Sequence, residues 1–124
     1  RTPHTLAPDR LETSKKTPRI EAIANDKLVL DDGSRKIEVY HQVGTDHNDG
    51  IVMVYLPTEK ILVEVDAWNT ESVTAPRSRN VNPYMVNLHD NITRLGLDVV
   101  EIVPLHGPRT GTMKELEERI RPAN

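Results

Sequence analysis

Two apolar runs separated by a four-residue turn constrain this chain more than any other feature. "IVMVYL" (51–56) and "ILVEV" (61–65) are joined by "PTEK". Each run is almost continuously apolar and β-branched, the pattern of a strand covered on both faces. The short connection makes the pair an antiparallel hairpin in the middle of a sheet. "VVEIV" (99–103) is a third strand of the same kind. With no phenylalanine and a single tryptophan in 124 residues, the core must be built from the Val, Ile and Leu of these runs.

The rest of the chain arranges itself around them. Residues 1–18 are polar, carry Pro3, Pro8 and Pro18, and read as an extended arm with one helical turn near Pro8–Lys15. Residues 19–124 form the packed unit. "RIEAI" and "KLVL" meet at Asn25-Asp26, and "KLVL" and "KIEVY" at "DDGS", two hairpin signals in a meander. Asn82 and Pro83 suit the start of a helix whose stripe is Met85, Leu88, Ile92 and Leu95, with Gly96 as its stop. A last helix begins at a Thr112/Glu115 capping box and carries Met113, Leu116 and Ile120. Glu115/Arg119 and Glu117/Arg121 are spaced to support it at i,i+4.

Strand 61–65, helix 83–95 and strand 99–103 make a βαβ unit, so the two strands run parallel and end at one edge. Asp66 follows the first strand and His106 the second. Strand 51–56 is antiparallel to 61–65 and begins at that same edge, directly after His47. Topology alone therefore brings His47, Asp66 and His106 to one rim, where ligands bind in open α/β sheets. Imidazole and carboxylate are the donors a cation such as zinc takes. The other histidines read plainly: His41 as a strand end, His89 as a helix-surface residue. The loop "DHNDG" does not fit a calcium-binding EF-hand, because the sixth and twelfth residues from Asp46 are Ile51 and Pro57. There is no G-x-S-x-G elbow for a serine hydrolase. In the long loop 67–82, Trp68, Asn69, Arg77 and Arg79 are the residues placed to contact a small-molecule substrate.

Some classes of partner are set aside. A net charge of −3 without a long basic run argues against nucleic acid. No apolar stretch reaches the ~18 residues that span a bilayer. Without cysteine there is neither a disulfide nor a thiolate zinc site.

On the segments "GTDHNDGIVMVYLPTEKILVEVDAWN" and "NITRLGLDVVEIVPLHG", the chain resembles the C-terminal half of a metallo-β-lactamase-superfamily hydrolase; "PHTLAPDRL" is similar to the family's mid-chain region. The order His, Asp after a strand, His-Gly after the last core strand is that family's late ligand series. The resemblance implies an α/β fold: half of an αββα sandwich, with a largely antiparallel sheet of about six strands, a terminal βαβα unit and two main helices. It implies a zinc-dependent hydrolase, with His47, Asp66 and His106 as late ligands of a one- or two-metal site and Asp66 bridging the metals. The Asp66 position carries cysteine in the best-known true β-lactamases of the family, so aspartate resembles the broader hydrolase branch.

The family hallmark H-x-H-x-D-H is absent, so the chain by itself is expected to be inactive. Its start at Arg1 reads as that of a processed product or a fragment. The strands are apolar on both faces, yet two helices cover one. The partner expected on the bare face is the missing N-terminal half of the fold, or a second copy through self-association. The competing reading is a non-catalytic half-fold that acts in binding or assembly with vestigial ligands.

Overall fold

The computed structural model describes residues 6–25, 27–70, 76 and 80–122. A short helix, α1 (Arg10–Ser14), is followed by strands β1 (Lys27–Asp31), β2 (Lys36–His41), β3 (Val52–Leu56) and β4 (Ile61–Glu64). Helix α2 (Pro83–Leu95), strand β5 (Glu101–Pro104), the two-residue strand β6 (Gly111–Thr112) and helix α3 (Met113–Arg119) complete the chain. The six strands form one sheet in sequence order. Every neighbouring pair is antiparallel except β4 and β5, which α2 connects in parallel. This is the α/β half-sandwich the sequence implies. No helix among the described residues is long and apolar enough to cross a membrane.

The strand count matches expectation, but its membership differs. "RIEAI" forms no strand: residues 19–23 have no regular structure, although Lys27 N–H still closes a turn onto Ala24 C=O. Asp26 lies outside the described residues. The sixth strand is instead β6, which pairs with β5 through Glu101↔Thr112 and Ile102↔Gly111. It is too short, and too poor in β-branched residues, to stand out in a sequence.

The helices follow their end signals. Asn82 caps α2 by accepting from Tyr84 N–H, Pro83 opens it, and Gly96 closes it at φ +62°. Thr112 and Glu115 form the reciprocal capping box of α3, and Asp9 and Glu12 that of α1. Glu115 turns to Arg109 at 3.1 Å, while the Arg119 guanidinium donates to Pro76 C=O. Glu115 is thus committed to the cap and to Arg109, outside the helix.

One face of the sheet is closed. Tyr40, Met53, Tyr55, Leu62 and Ile102 pack in one buried cluster with Leu88 and Ile92 of α2 and Leu116 of α3. The strand residues of opposite parity face away. Pairing places Leu28, Val39, Val54, Val63 and Val103 in one cross-strand row, and none of them is fully buried. The neighbouring row adds Leu30, which is half exposed, with Ile37.

Candidate functional site at the sheet rim

The edge where β4 and β5 end and β3 begins gathers three side chains. The Asp66 carboxylate lies between two imidazoles, with Oδ2 3.2 Å from His47 Nε2 and Oδ1 2.5 Å from His106 Nδ1. An ionised carboxylate only accepts, so both facing nitrogens carry the proton. All three side chains reach solvent: His106 is the most open, Asp66 the least. Residues that are 19 and 40 positions apart in the chain thus meet on one carboxylate.

Each member is set by its local backbone. Asp66 is held at φ +63°, the left-handed region that Asp tolerates better than most non-glycine residues. Across that turn, the carboxylate of Glu64 accepts from Ala67 N–H at 2.9 Å and Trp68 N–H at 3.3 Å through Oε2. Glu64 is 1% exposed, and its other oxygen has no hydrogen-bond partner among the described residues. Burial raises its pKa from 4.5 to about 7; the two N–H groups oppose the rise and the nearby Asp66 charge adds to it. The Glu64 C=O also receives Leu105 N–H at 2.9 Å, which extends the parallel pairing toward His106.

The loops after β4 and β5 lock onto one another. Thr70 Oγ1 donates to Arg109 C=O. Gly107, at φ +141°, lies so close to Thr70 and Asn69 that a Cβ would overlap them. His47 comes from the loop between β2 and β3. Its ring meets Tyr84, in the first turn of α2, edge-on at 5.5 Å between centroids. An open depression of about 300 Å³ lies beside it, lined by His47, Asn48, Gly50, Ile51, Val52, Val65 and Asp66. Val52 has the parity of the uncovered face, so the depression adjoins that face.

The other expected contacts fall differently. Trp68 is buried at 3% exposure, with its ring against Gly111. Together with Asn69, Asn80, Met85 and Arg119 it lines a separate cleft of about 300 Å³. Arg77 and Arg79 lie outside the described residues. His41 donates to Asp49 C=O at 2.6 Å and closes the β2–β3 loop; His89 lies 3.3 Å from its neighbour Asp90. Glu64 and Tyr84 were not singled out from sequence. A lone carboxylate inside "ILVEV" is the signal that could have marked Glu64.

The donor types at the rim are those zinc takes, two imidazoles and a carboxylate. As placed they are hydrogen-bonded pairs, and among the described residues no group of three or more His, Cys, Asp or Glu is spaced to hold a metal ion. The fit is one of donor chemistry, and the ligand set is incomplete.

With this geometry in place, the class is defined: the chain has the fold of half a metallo-β-lactamase domain. Among solved structures, a metallo-β-lactamase from Pontibacter korlensis superposes on 88% of this chain and 50% of its own, with a TM-score of 0.57 at 24% identity. DIM-1 metallo-β-lactamase does so over 88% and 50%, with a TM-score of 0.54 at 22% identity. VMB-1 matches over 88% and 49%, again with a TM-score of 0.54 at 22% identity. The chain spans about half the length of the structures it matches. No protein-family model matches it, and no curated protein matches it.

Proposed function

We propose that this chain is the later half of a metal-dependent hydrolase and contributes His47, Asp66 and His106 to its metal site. The observation that carries the reading is the pair of imidazoles converging on the Asp66 carboxylate at the sheet rim. His47 and His106 would each supply a ring nitrogen to zinc, and Asp66 its carboxylate oxygens. When bound, such a cation supplies positive charge that polarises the bond under attack and acidifies water. The chain's own contribution is positional. The Glu64-braced turn presents Asp66, and the interlocked loops bring His106 to it. The remaining ligands belong to the other half of the fold, and a small molecule would bind in the loops around the completed site.

The sheet face turned away from the helices, whose apolar row is only half-buried, supports the same reading. The row Leu28, Val39, Val54, Val63 and Val103 is apolar, and open apolar area costs about 25 cal/mol per Å² left in water. We assign this face to the missing half-fold, with a second copy as its substitute when that half is absent.

Zinc affinity, measured by competition with a chromophoric chelator, tests the metal reading. The unsubstituted chain should take up zinc, and His47→Ala or Asp66→Ala should each weaken uptake at least ~10-fold. No uptake, together with unchanged stability in both variants, would favour the non-catalytic assembly module. Sedimentation tests the face: a monomer that unfolds sharply and binds no hydrophobic dye would refute its assignment.

A further inference from the structure

The loop that carries His47 is tied to helix α2 by side chains that belong to no ligand set. Beyond the β2–β3 pairing, Gln42 N–H still bonds to Ile51 C=O at 3.1 Å. The next residue, Val43, leaves the sheet. Both of its backbone groups are then taken by one side chain: Asn91 Oδ1 accepts from Val43 N–H at 3.1 Å, and Asn91 Nδ2 donates to Val43 C=O at 2.9 Å. A carboxamide bonded twice to one residue acts as a short piece of neighbouring strand, fixing orientation as well as distance.

Asn87, one turn earlier, adds a second donor to Val43 C=O at 2.9 Å and accepts from Gln42 Nε2 at 2.9 Å. Asn91 is 3% exposed, donates also to Asn87 C=O, and accepts from Arg94. Directly after the clamp, Gly44 turns the chain at φ +73° with Asn87 Nδ2 against it. Thr45 Oγ1 then accepts from His47 N–H at 3.3 Å. The same helix meets the His47 ring through Tyr84.

We propose that Asn91, through its paired hydrogen bonds to Val43, is a positioning residue that holds His47 on Asp66. It bonds to neither His47 nor Asp66, and it acts through Gly44, Thr45 and Asp46, the three residues between Val43 and His47. The geometric claim stands without a metal; its effect on zinc affinity rests on the function proposed above.

The test uses the chain together with any partner that co-purifies with it. Ring resonances of His47 and His106 are recorded by NMR in chelator, for the unsubstituted protein and for Asn91→Ala. Both histidines contact the same carboxylate, so His106 responds to any movement of His47, and the indole signals of Trp68, buried against Gly111, are recorded as the control for the fold. The expected result is a shift of the His47 ring signals and loss of its cross-peak to Tyr84, with the Trp68 indole unmoved. His47 signals that stay in place in folded Asn91→Ala overturn the proposal. So does a joint shift of His47 and the Trp68 indole, which marks general loosening. Where Asn91→Ala does not fold, Asn91→Asp replaces it: it keeps the acceptor for Val43 N–H, loses the donor to Val43 C=O, and should give a smaller shift of the same kind. Zinc competition is the second arm. Asn91→Ala should weaken zinc ~10-fold or more, in the range of outer-sphere losses, and add little on top of His47→Ala. An unsubstituted chain that takes up no zinc refutes the hydrolase reading, while the NMR arm still decides the positioning one.

Discussion

Replacing Glu64 with glutamine should change how the stability of this fold depends on pH. Burial lifts the Glu64 carboxyl from 4.5 to about 7 in the folded chain. Below pH 4.5 the group is protonated both folded and unfolded. Between about 4.5 and 7 the folded chain keeps a proton that the unfolded chain has lost, so stability falls as pH rises. Each unit of that difference is worth ~1.4 kcal/mol, so the fall totals about 3 kcal/mol and levels off above pH 7. Glu64 is almost fully enclosed, so solvent screening removes little of it.

Glutamine carries no charge at any of these pH values. Its carbonyl can still accept from Ala67 and Trp68, with its amide at the oxygen that has no partner among the described residues. Glu64→Gln should therefore match the unsubstituted chain at pH 5 to within ~1 kcal/mol. It should exceed it by ~2–3 kcal/mol at pH 8. Urea unfolding followed by the fluorescence of the single tryptophan, in chelator, at half-unit steps of pH measures both. Parallel stability curves for the two proteins would refute the buried-carboxylate reasoning. So would a Glu64→Gln chain that is the less stable at pH 8.

Two further perturbations probe other parts of the frame. Gly111→Ala places a Cβ inside the Trp68 ring; it should cost ~1–3 kcal/mol as an overpacked core and shift the tryptophan emission to the red. At the β1–β2 turn, the Ser34 hydroxyl and the backbone N–H groups of Arg35 and Ser34 hold the Asp32 carboxyl at about 2, below its usual 3.8. That turn should therefore keep its full support above pH 3.8 and lose it as pH falls through about 2, which the Ser34 and Arg35 amide shifts would follow in acid.

Much of the architecture is legible in the sequence because it depends on local chemistry. Asn82, Pro83 and Gly96 mark α2 to the residue, since caps are short-range hydrogen-bonding devices. The runs 51–56 and 61–65 mark the central hairpin through their continuous apolar composition, although only alternate residues are fully buried. The convergence of His47, Asp66 and His106 follows from strand direction alone. What stayed hidden depends on tertiary contact. "RIEAI" has strand composition but gains no pairing, whereas Gly111-Thr112 lacks it and pairs with β5. Trp68 is drawn into the core because Gly111, far along the chain, leaves space for its ring. The clamp from Asn87 and Asn91 to Val43 joins residues more than forty positions apart, and no spacing rule connects them.

The parallel step between β4 and β5 also sets an order in time. His47 precedes β3 and Asp66 follows β4, the two strands of one tight hairpin, so their contact closes at the open end of that hairpin. His106 reaches the same carboxylate only across the crossover through α2. Loop length alone separates the two closures by less than ~1 kcal/mol, since doubling a loop adds only ~0.6. Parallel pairing also needs the α2 crossover to be laid down between the two strands, and such non-local pairing is slower than closing a hairpin. During folding, the His47–Asp66 contact can thus come and go many times before His106 arrives, and the completed rim reports that the last core strand has docked.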